Sequence, residues 1–201
     1  MGLYTKYILP RLAHFLCGSD LIAQQRRKVV PRAKGRVLEI GIGSGLNLPF
    51  YDHEKVGHVW GLDPSEEMWR LAGTRGVPFD VEFLPASAEN IPLDDDSADS
   101  VVVTYTLCSI PETLRALKDM RRVLKPGGQL FFCEHGAAPE PSVRRWQDRL
   151  TPIWQLWAGG CRLNLKIPKL LEQSGFKIQA LDTEYIQGPK FASYNYWGTA
   201  T

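Results

Sequence analysis

The sequence lacks the features that mark membrane-spanning, secreted and repetitive proteins. No apolar run approaches the ~20 residues that a transmembrane helix requires, and the chain has no internal repeat and no low-complexity linker. The apolar stretch Tyr7–Leu9 is followed at once by Pro10 and Arg11, which leaves it too short for the core of a signal peptide. We therefore expect a cytoplasmic protein.

Cysteine and histidine are few and widely spaced. The four cysteines (Cys17, Cys108, Cys133 and Cys161) form no CxxC pair, which favours reduced thiols over a disulfide framework. The four histidines show no HxxxH spacing and no clustering with the cysteines along the sequence. These spacings predict no metal site.

The composition is that of a globular protein of about one domain. The chain has 201 residues, of which 44% are hydrophobic and 23% are charged. The net charge of +2 is unevenly distributed, because residues 1–36 carry +7 and the remainder carries −5. A basic segment suits either peripheral contact with an anionic membrane or a solvated helix face, and both alternatives stay open. No nucleic-acid contact is expected, since the basic residues are not interleaved with aromatic ones.

Short apolar runs alternate with helical patterns after residue 35. Strands are predicted at 36–40, 58–62, 81–84, 100–105, 129–133, 177–186 and 191–197, and helices at 65–72, 112–124, 142–157 and 167–173. Two further helices, at 4–15 with a kink at Pro10 and at 20–30 with Asp20 as N-cap, precede the first strand. The pattern predicts an α/β fold with a doubly wound, mostly parallel seven-stranded sheet that ends in an antiparallel hairpin.

The most informative motif follows the first predicted strand. The segment Glu39–Gly45 has the pattern E-x-G-x-G-x-G, with glycines at 41, 43 and 45. Glycines let the chain turn tightly at the carboxyl end of a strand and let a nucleotide approach the backbone. The dinucleotide fingerprint G-x-G-x-x-G is broken by Leu46 at its third glycine position, which argues against an NAD-dependent oxidoreductase.

Two further segments extend this candidate nucleotide site. Asp63 ends the second predicted strand, where a carboxylate can accept hydrogen bonds from both ribose hydroxyls. Ser87 and Ala88 follow the third strand. Each feature alone has a purely structural explanation, such as a helix N-cap at Asp63, but their order and spacing together predict a nucleoside-binding site.

These motifs resemble motif I and its partners in the class I S-adenosylmethionine (SAM)-dependent methyltransferases, and residues 37–201 are similar to a methyltransferase type 11 domain. The segment Arg122–Gly128 resembles the one that leads into the fifth strand of these enzymes. Segments 107–109, 133–135, 160–163 and 196–198 resemble the methyltransferase-like 7 family, whose members methylate small thiols, including hydrogen sulfide. The resemblance divides the chain into an N-terminal helical cap, 1–34, and a methyltransferase domain, 35–201.

The resemblance implies SAM as the cofactor and S-adenosylhomocysteine as the product. It places the adenine ring near Ser87 and the backbone N–H of Ala88, because a hydroxyl here replaces the aspartate of many family members. The residues that it assigns to cofactor binding are Glu39, Gly41, Gly43, Gly45, Asn47, Asp63, Pro64, Ser87, Ala88 and Thr104.

The candidate catalytic residues are His135 and its neighbour Glu134, at the carboxyl end of the fifth strand. A thiol is only slightly ionised at neutral pH, so a base beside the methyl group would help the transfer. His135 is the candidate base. The alternative is that His135 merely satisfies a loop carbonyl and Glu134 caps a helix.

The candidate acceptor-binding residues come from three regions. Cys108 and Ser109 follow the fourth strand, where class I enzymes place the acceptor, although a buried cysteine is also typical of a core. Trp154 and Trp157 belong to an apolar helix face that either packs in the core or covers an apolar acceptor. Tyr4 and Tyr7 of the first helix are candidates for a lid.

The leading hypothesis is a SAM-dependent S-methyltransferase of small thiols, acting as a monomer or homodimer. Three alternatives remain: N-methylation of phospholipid headgroups, C-methylation of a quinone precursor, and a SAM-binding module without activity. The basic N-terminal segment favours the first of these alternatives.

Overall fold

The computed structural model describes residues 8–72 and 76–201. Its strands are β1 (Gly35–Ile40), β2 (Val56–Leu62), β3 (Asp80–Leu84), β4 (Ala98–Thr104), β5 (Leu124–His135), β6 (Ile178–Tyr185) and β7 (Tyr194–Ala200). Its helices are α1 (Leu9–Cys17), α2 (Asp20–Arg26), α3 (Glu66–Ala72), α4 (Thr113–Val123), α5 (Pro141–Trp157) and α6 (Ile167–Gln173).

All seven strands form one sheet in the order β3-β2-β1-β4-β5-β7-β6. The pairs among β1 to β5 are parallel, whereas β7 is antiparallel to both β5 and β6. The predicted fold class is confirmed. The strand order reverses between β1 and β4, and in doubly wound sheets the carboxyl ends of the strands at such a point form the ligand crevice.

The central strands are buried on both faces, which explains their continuous apolar sequences. In β1, Leu38 and Ile40 pack in one core cluster, together with Leu117 of α4. Val37 lies in the other cluster, together with Val30 from the segment after α2. Helical segments therefore cover both sides of the sheet and leave the loops at its carboxyl edge to form the site.

Strand β5 is longer than the predicted strand at 129–133, because it also includes residues 124–128 and extends to His135. Leu124 pairs with Ala98 and Gln129 pairs with Ser100, so the intervening residues form a bulge. Gly127 lies at φ +80° in this bulge, a conformation that glycine adopts without steric cost. The last strand, β7, begins three residues later than predicted.

The N-terminal helices also differ from prediction. Pro10 lies in the first turn of α1, where its missing N–H costs no hydrogen bond. The residues before Ile8, which the predicted kink at Pro10 involves, lie outside the described residues. The N-cap position of α2 is Ser19, rather than Asp20, and this helix ends at Arg26. A separate 3₁₀ turn covers Val30–Arg32.

Several basic residues of the N-terminal segment contact aromatic rings of the same chain. The Lys28 ammonium lies 3.6 Å from the ring centroid of Trp197, and the Arg36 guanidinium lies 4.3 Å from that of Trp60. Both distances are within the range of cation–π attraction. These side chains thus have roles inside the fold. Within the described ranges, no helix is both long and apolar enough to span a bilayer.

Candidate active site

The glycine-rich turn lies at the carboxyl end of β1. Gly41 and Gly45 adopt φ values of +69° and +71°, which disfavour any side chain. A Cβ atom at Gly41 would also lie 2.3 Å from Thr106 Oγ1, so the loop after β4 approaches the turn directly. The turn is closed by a 2.8 Å hydrogen bond from Gly45 N to the Ile42 carbonyl.

Asp63 anchors this turn to the end of β2. Its Oδ2 accepts a 3.0 Å hydrogen bond from the backbone N–H of Gly43, and its Oδ1 accepts a 2.8 Å bond from that of Ser65. Burial raises the pKa of Asp63, against the effect of these two donors. Each carboxylate oxygen retains a second lone pair, so the half-buried side chain can still accept hydrogen bonds from a ligand.

A buried polar network lies beneath the turn. Asn47 donates from Nδ2 to Glu39 Oε1 at 3.1 Å and to Thr104 Oγ1 at 3.0 Å. The Tyr51 hydroxyl donates to the other oxygen of Glu39, at 2.8 Å. Burial raises the pKa of Glu39 to about 7. The network joins the carboxyl ends of β1 and β4 and thereby fixes both walls of the crevice.

Arg26, at the end of α2, also belongs to this network. Its Nη1 donates to Asn47 Oδ1 at 2.8 Å and to Thr104 Oγ1 at 2.6 Å. The side chain is buried, and its Nε has no hydrogen-bond partner within the part of the chain that the structure describes. A buried guanidinium donor without a partner is costly, and a ligand carboxylate at this position would satisfy it. The preceding helix α1 also covers the turn, through a 2.6 Å hydrogen bond between His14 Nδ1 and Ser44 Oγ.

The chain bends sharply after β4. Tyr105 has φ +53°, a left-handed conformation that costs free energy for a bulky residue and occurs frequently at functional sites. The bend directs the backbone N–H groups of Thr106 and Leu107 toward Glu134 Oε1, at 2.8 and 3.1 Å. Glu134 therefore holds the β4 loop, and its buried Oε2 has no partner among the described residues.

Three side chains from separate segments meet beside this bend. They are Cys108 after β4, His135 at the end of β5 and Cys161 after α5, and we call them the Cys108–His135–Cys161 cluster. Their ligand atoms all lie within 4.8 Å of one another, and His135 Nε2 is 3.3 Å from Cys161 Sγ. These residues are 27 and 26 positions apart in the sequence, so metal-ligand patterns at short spacings do not include them, and only the fold brings them together.

Hydrogen bonds within the cluster shift the proton affinities of its members. The bond from Cys108 and then the bond with His135 lower the pKa of Cys161, in spite of its burial. The bond with Cys161 raises the pKa of His135, although burial acts in the opposite direction. Burial raises the pKa of Glu134 to about 7, against its two backbone donors. The cluster thus brings two cysteine sulfurs and an imidazole together at the carboxyl edge of the sheet.

Comparison with known proteins identifies the family. A family model described as a methyltransferase domain matches residues 38–132. The chain is 36% identical over 177 residues to human thiol S-methyltransferase TMT1A. The alignment covers 85% of this chain and 70% of that protein. The chain belongs to the SAM-dependent methyltransferases.

Other similar proteins are also methyltransferases, but their names specify different methyl acceptors. A SAM-dependent methyltransferase from Thermotoga maritima superposes with a TM-score of 0.69 at 23% identity, over 98% of each chain. A demethylmenaquinone methyltransferase from Clavibacter sepedonicus is 37% identical over 123 residues, 61% of this chain and 50% of that one. This chain aligns with 62% of the length of rat thiol S-methyltransferase TMT1B.

The residues around the glycine turn fit SAM, whose sulfonium supplies an electrophilic methyl carbon when it is bound. Asp63 has free lone pairs for the ribose hydroxyls, and the unpartnered Nε of Arg26 suits the methionine carboxylate. Glu39, Asn47 and Thr104 are buried, and Asn47 is hydrogen-bonded to each of the other two. We therefore expect these three to support the turn from below.

The remaining cofactor-binding predictions lie on the loops after β2 and β3. Pro64 is exposed beside Asp63. The hydroxyl of the exposed Ser87 donates to Glu89, whereas Ala88 is buried in the core. The Ser87 oxygen keeps a lone pair that can accept a hydrogen bond from the amino group of an adenine. Its predicted contact with the adenine is therefore compatible with the structure.

The predicted acceptor-binding residues of the methyltransferase lie at different distances from the cluster. Trp154 interacts with Cys161, so this ring lies near the cluster. Ser109 is exposed, and its hydroxyl donates to the Thr106 carbonyl at 2.9 Å. Trp157, near the end of α5, is 66% exposed. Tyr4 and Tyr7, the predicted lid, lie outside the described residues.

Substitution of Arg26 tests its assignment to the cofactor carboxylate. Arg26→Gln is expected to weaken SAM binding by roughly 10–100-fold, since a hydrogen bond to a charged group contributes about 1.5–3 kcal/mol. Calorimetric titration with SAM and with decarboxylated SAM separates this role from a structural one. The wild type should prefer SAM, and the variant should bind both molecules equally. The exposed neighbour provides a control, Arg27→Gln, and an unchanged preference in Arg26→Gln would refute the assignment.

The buried carboxyl of Glu39 is expected to make stability depend on pH. Its pKa is 4.5 ordinarily and about 7 in the folded protein, so the folded state holds the proton more tightly. As the pH rises from 4.5 to 7, the wild type should lose up to about 1.4 kcal/mol of unfolding free energy per pH unit relative to Glu39→Gln. Urea denaturation of the SAM-free proteins measures this difference, with the exposed substitution Glu54→Gln as the control. A difference that stays constant with pH would contradict the expectation.

Proposed function

We propose that this methyltransferase transfers the methyl group of SAM to the sulfur of a small thiol. The observation that carries the proposal is the position of the Cys108–His135–Cys161 cluster at the carboxyl ends of β4 and β5, next to the loop that contacts the glycine turn. Acceptors of doubly wound enzymes bind at this edge. The 36% identity to a protein named thiol S-methyltransferase over most of this chain supports the same acceptor.

The chemistry requires an acceptor that is deprotonated, oriented and kept from water. Methyl transfer is an in-line displacement, and orientation of the two reacting atoms contributes up to about 7–11 kcal/mol. Cys17, the last residue of α1, lies close enough to Cys161 for their charges to interact, and Trp154 also interacts with Cys161. The predicted role of His135 is to accept the thiol proton at Nε2, the atom that faces Cys161.

A panel of acceptors with isotopically labelled SAM tests the proposal. Mass spectrometry is expected to detect labelled methyl thioethers from alkyl thiols and methanethiol from hydrogen sulfide. A demethylated quinone precursor and phosphatidylethanolamine vesicles serve as competing acceptors. Label in either of these, with none in any thiol, would overturn the thiol assignment.

A phospholipid headgroup is the second candidate acceptor. Exposed apolar side chains lie on α1 (Leu12, Phe15 and Leu16), at its N-cap (Ile8) and on α5 (Trp146, Ile153, Leu156 and Trp157). A Cβ atom at Gly159 would lie 2.9 Å from Leu9, so the beginning of α1 approaches the end of α5. Apolar surface of this kind suits the interfacial region of a membrane. A phosphatidylethanolamine N-methyltransferase of Cereibacter sphaeroides is 32% identical over 127 residues.

A further inference from the structure

The Cys108–His135–Cys161 cluster has the donor atoms of a metal site. Two thiols and one imidazole converge, with all three ligand atoms within 4.8 Å of one another. Catalytic zinc sites use three protein ligands, including the set of two cysteines and one histidine, and keep a fourth position for substrate. Tetrahedral geometry with Zn–S bonds of ~2.3 Å separates two ligand sulfurs by about 3.8 Å. The cluster therefore needs only small side-chain movements to enclose an ion.

Arg162 makes several hydrogen bonds to the backbone around the cluster. Its backbone N–H and its Nε donate to the Cys108 carbonyl, at 3.0 and 3.1 Å. Its Nη2 donates to the Ile110 carbonyl and, at 2.6 Å, to Thr113 Oγ1. Because Arg162 is adjacent to Cys161, these bonds fix the two cysteines relative to each other. Ligands held in this way by surrounding hydrogen bonds are typical of functional metal sites.

The third ligand is positioned by the sheet. His135 is the last residue of β5 and pairs with Asn195 of β7. Its neighbour Glu134 holds the β4 loop that carries Cys108. The three ligands thus come from well-connected backbone segments, and the donor softness favours zinc over magnesium or calcium.

We propose that Cys108, His135 and Cys161 bind one Zn²⁺ ion whose fourth position takes the acceptor thiol. This inference rests on the proposed function for the identity of the acceptor. The acceptor sulfur forms a bond to the ion and releases its proton to solvent. That sulfur then forms a bond to the methyl carbon, while the carbon–sulfonium bond breaks and its electron pair remains on the departing S-adenosylhomocysteine. In this arrangement the ion activates the thiol, and His135 holds the ion instead of accepting the proton.

The charge balance of the site agrees with this assignment. Two thiolates neutralise a divalent ion, and a bound acceptor thiolate gives the centre one net negative charge. That charge faces the positive sulfonium of SAM, so the two reactants attract each other in a buried setting where electrostatic interactions are strong. The neutral thioether that forms is a weak ligand and leaves.

Metal binding is measured first on the full chain, with Co²⁺ as a spectroscopic substitute for Zn²⁺. The wild type is expected to bind about one ion per chain with thiolate-to-cobalt charge-transfer absorption. Addition of an alkyl thiol, without SAM, is expected to change that absorption because a third sulfur enters the coordination sphere. Failure to bind a stoichiometric ion, or a spectrum that the thiol leaves unchanged, would overturn the proposal.

Two variants locate the ion. Cys161→Ser is expected to lower metal affinity by at least about tenfold, while its affinity for SAM stays unchanged, which shows that it is folded. Cys17→Ser is the matched control, because Cys17 lies nearby at the end of α1 and is not in the ligand set. Full metal binding by Cys161→Ser would refute the site. If Cys17→Ser lost the ion, Cys17 would be a fourth protein ligand. No coordination position would then remain for the acceptor thiol, and the proposed acceptor binding would be refuted.

Removal of the metal separates this inference from the proposed function. The enzyme dialysed against a chelator is expected to lose thiol methylation and to regain it with Zn²⁺, while SAM affinity stays constant. A metal-free enzyme that still methylates thiols would refute the zinc proposal and leave the proposed function intact. A metal-loaded enzyme that methylates no thiol would refute both the thiol acceptor and the proposed function.

Discussion

Replacement of Asp63 by alanine is expected to weaken SAM binding by at least about 100-fold. Two charge-assisted hydrogen bonds to the ribose are lost, each of which contributes roughly 1.5–3 kcal/mol. The side chain also holds the glycine turn through Gly43 N, so its removal loosens the cradle as well. Isothermal titration calorimetry of both proteins with SAM measures the effect.

The matched control for this experiment is Asp80→Ala. Asp80 begins β3, at the opposite end of the sheet from the site, and is exposed. The control should bind SAM like the wild type. A dissociation constant for Asp63→Ala within about twofold of the wild-type value would mean that the ribose is bound elsewhere.

Replacement of His135 by glutamine is expected to lower kcat/KM for a thiol by about 100–10,000-fold, the range for loss of a positioned acid–base group. The affinity for SAM should not change, because the substitution lies at the end of β5 and leaves Asp63 and Arg26 in place. Loss of zinc ligation would produce a decrease in the same direction. The metal content of His135→Gln distinguishes the two roles. Loss of a general base leaves the amount of bound metal unchanged, whereas loss of a zinc ligand lowers it.

The control is His53→Gln, a substitution of an exposed histidine in the loop before β2. Initial rates with labelled SAM and an alkyl thiol, measured across a range of thiol concentrations, yield kcat/KM for all three proteins. Wild-type turnover by His135→Gln would remove His135 from the acceptor site and would leave the Cys108–His135–Cys161 cluster with a structural role only.

The part of the site that the sequence predicts well consists of local motifs. Gly41, Gly43 and Gly45 lie within one turn, and Asp63 directly follows the next strand, so the alternation of strand and helix suffices to bring them together. The buried strands were equally predictable, because strands covered on both faces have continuous apolar sequences.

The part that the sequence does not predict consists of contacts between distant segments. Arg26 reaches Thr104, 78 residues away, because of the way α2 packs on the crevice. Cys108 and Cys161 are 53 residues apart, and the bonds of Arg162 bring them together. A search for metal ligands at short spacings cannot find such a cluster. The sequence also did not predict that β5 begins at Leu124. Only the pairing with β4 shows that residues 125–128 form a bulge within this strand.

The most direct test of the account is a crystal structure of the enzyme with S-adenosylhomocysteine and an alkyl thiol. We expect the ribose hydroxyls on Asp63, the carboxylate on Arg26, and the thiol sulfur at the Cys108–His135–Cys161 cluster, directed at the S-adenosylhomocysteine sulfur for an in-line approach. A thiol bound away from this cluster, or a nucleoside bound away from the glycine turn, would contradict the account.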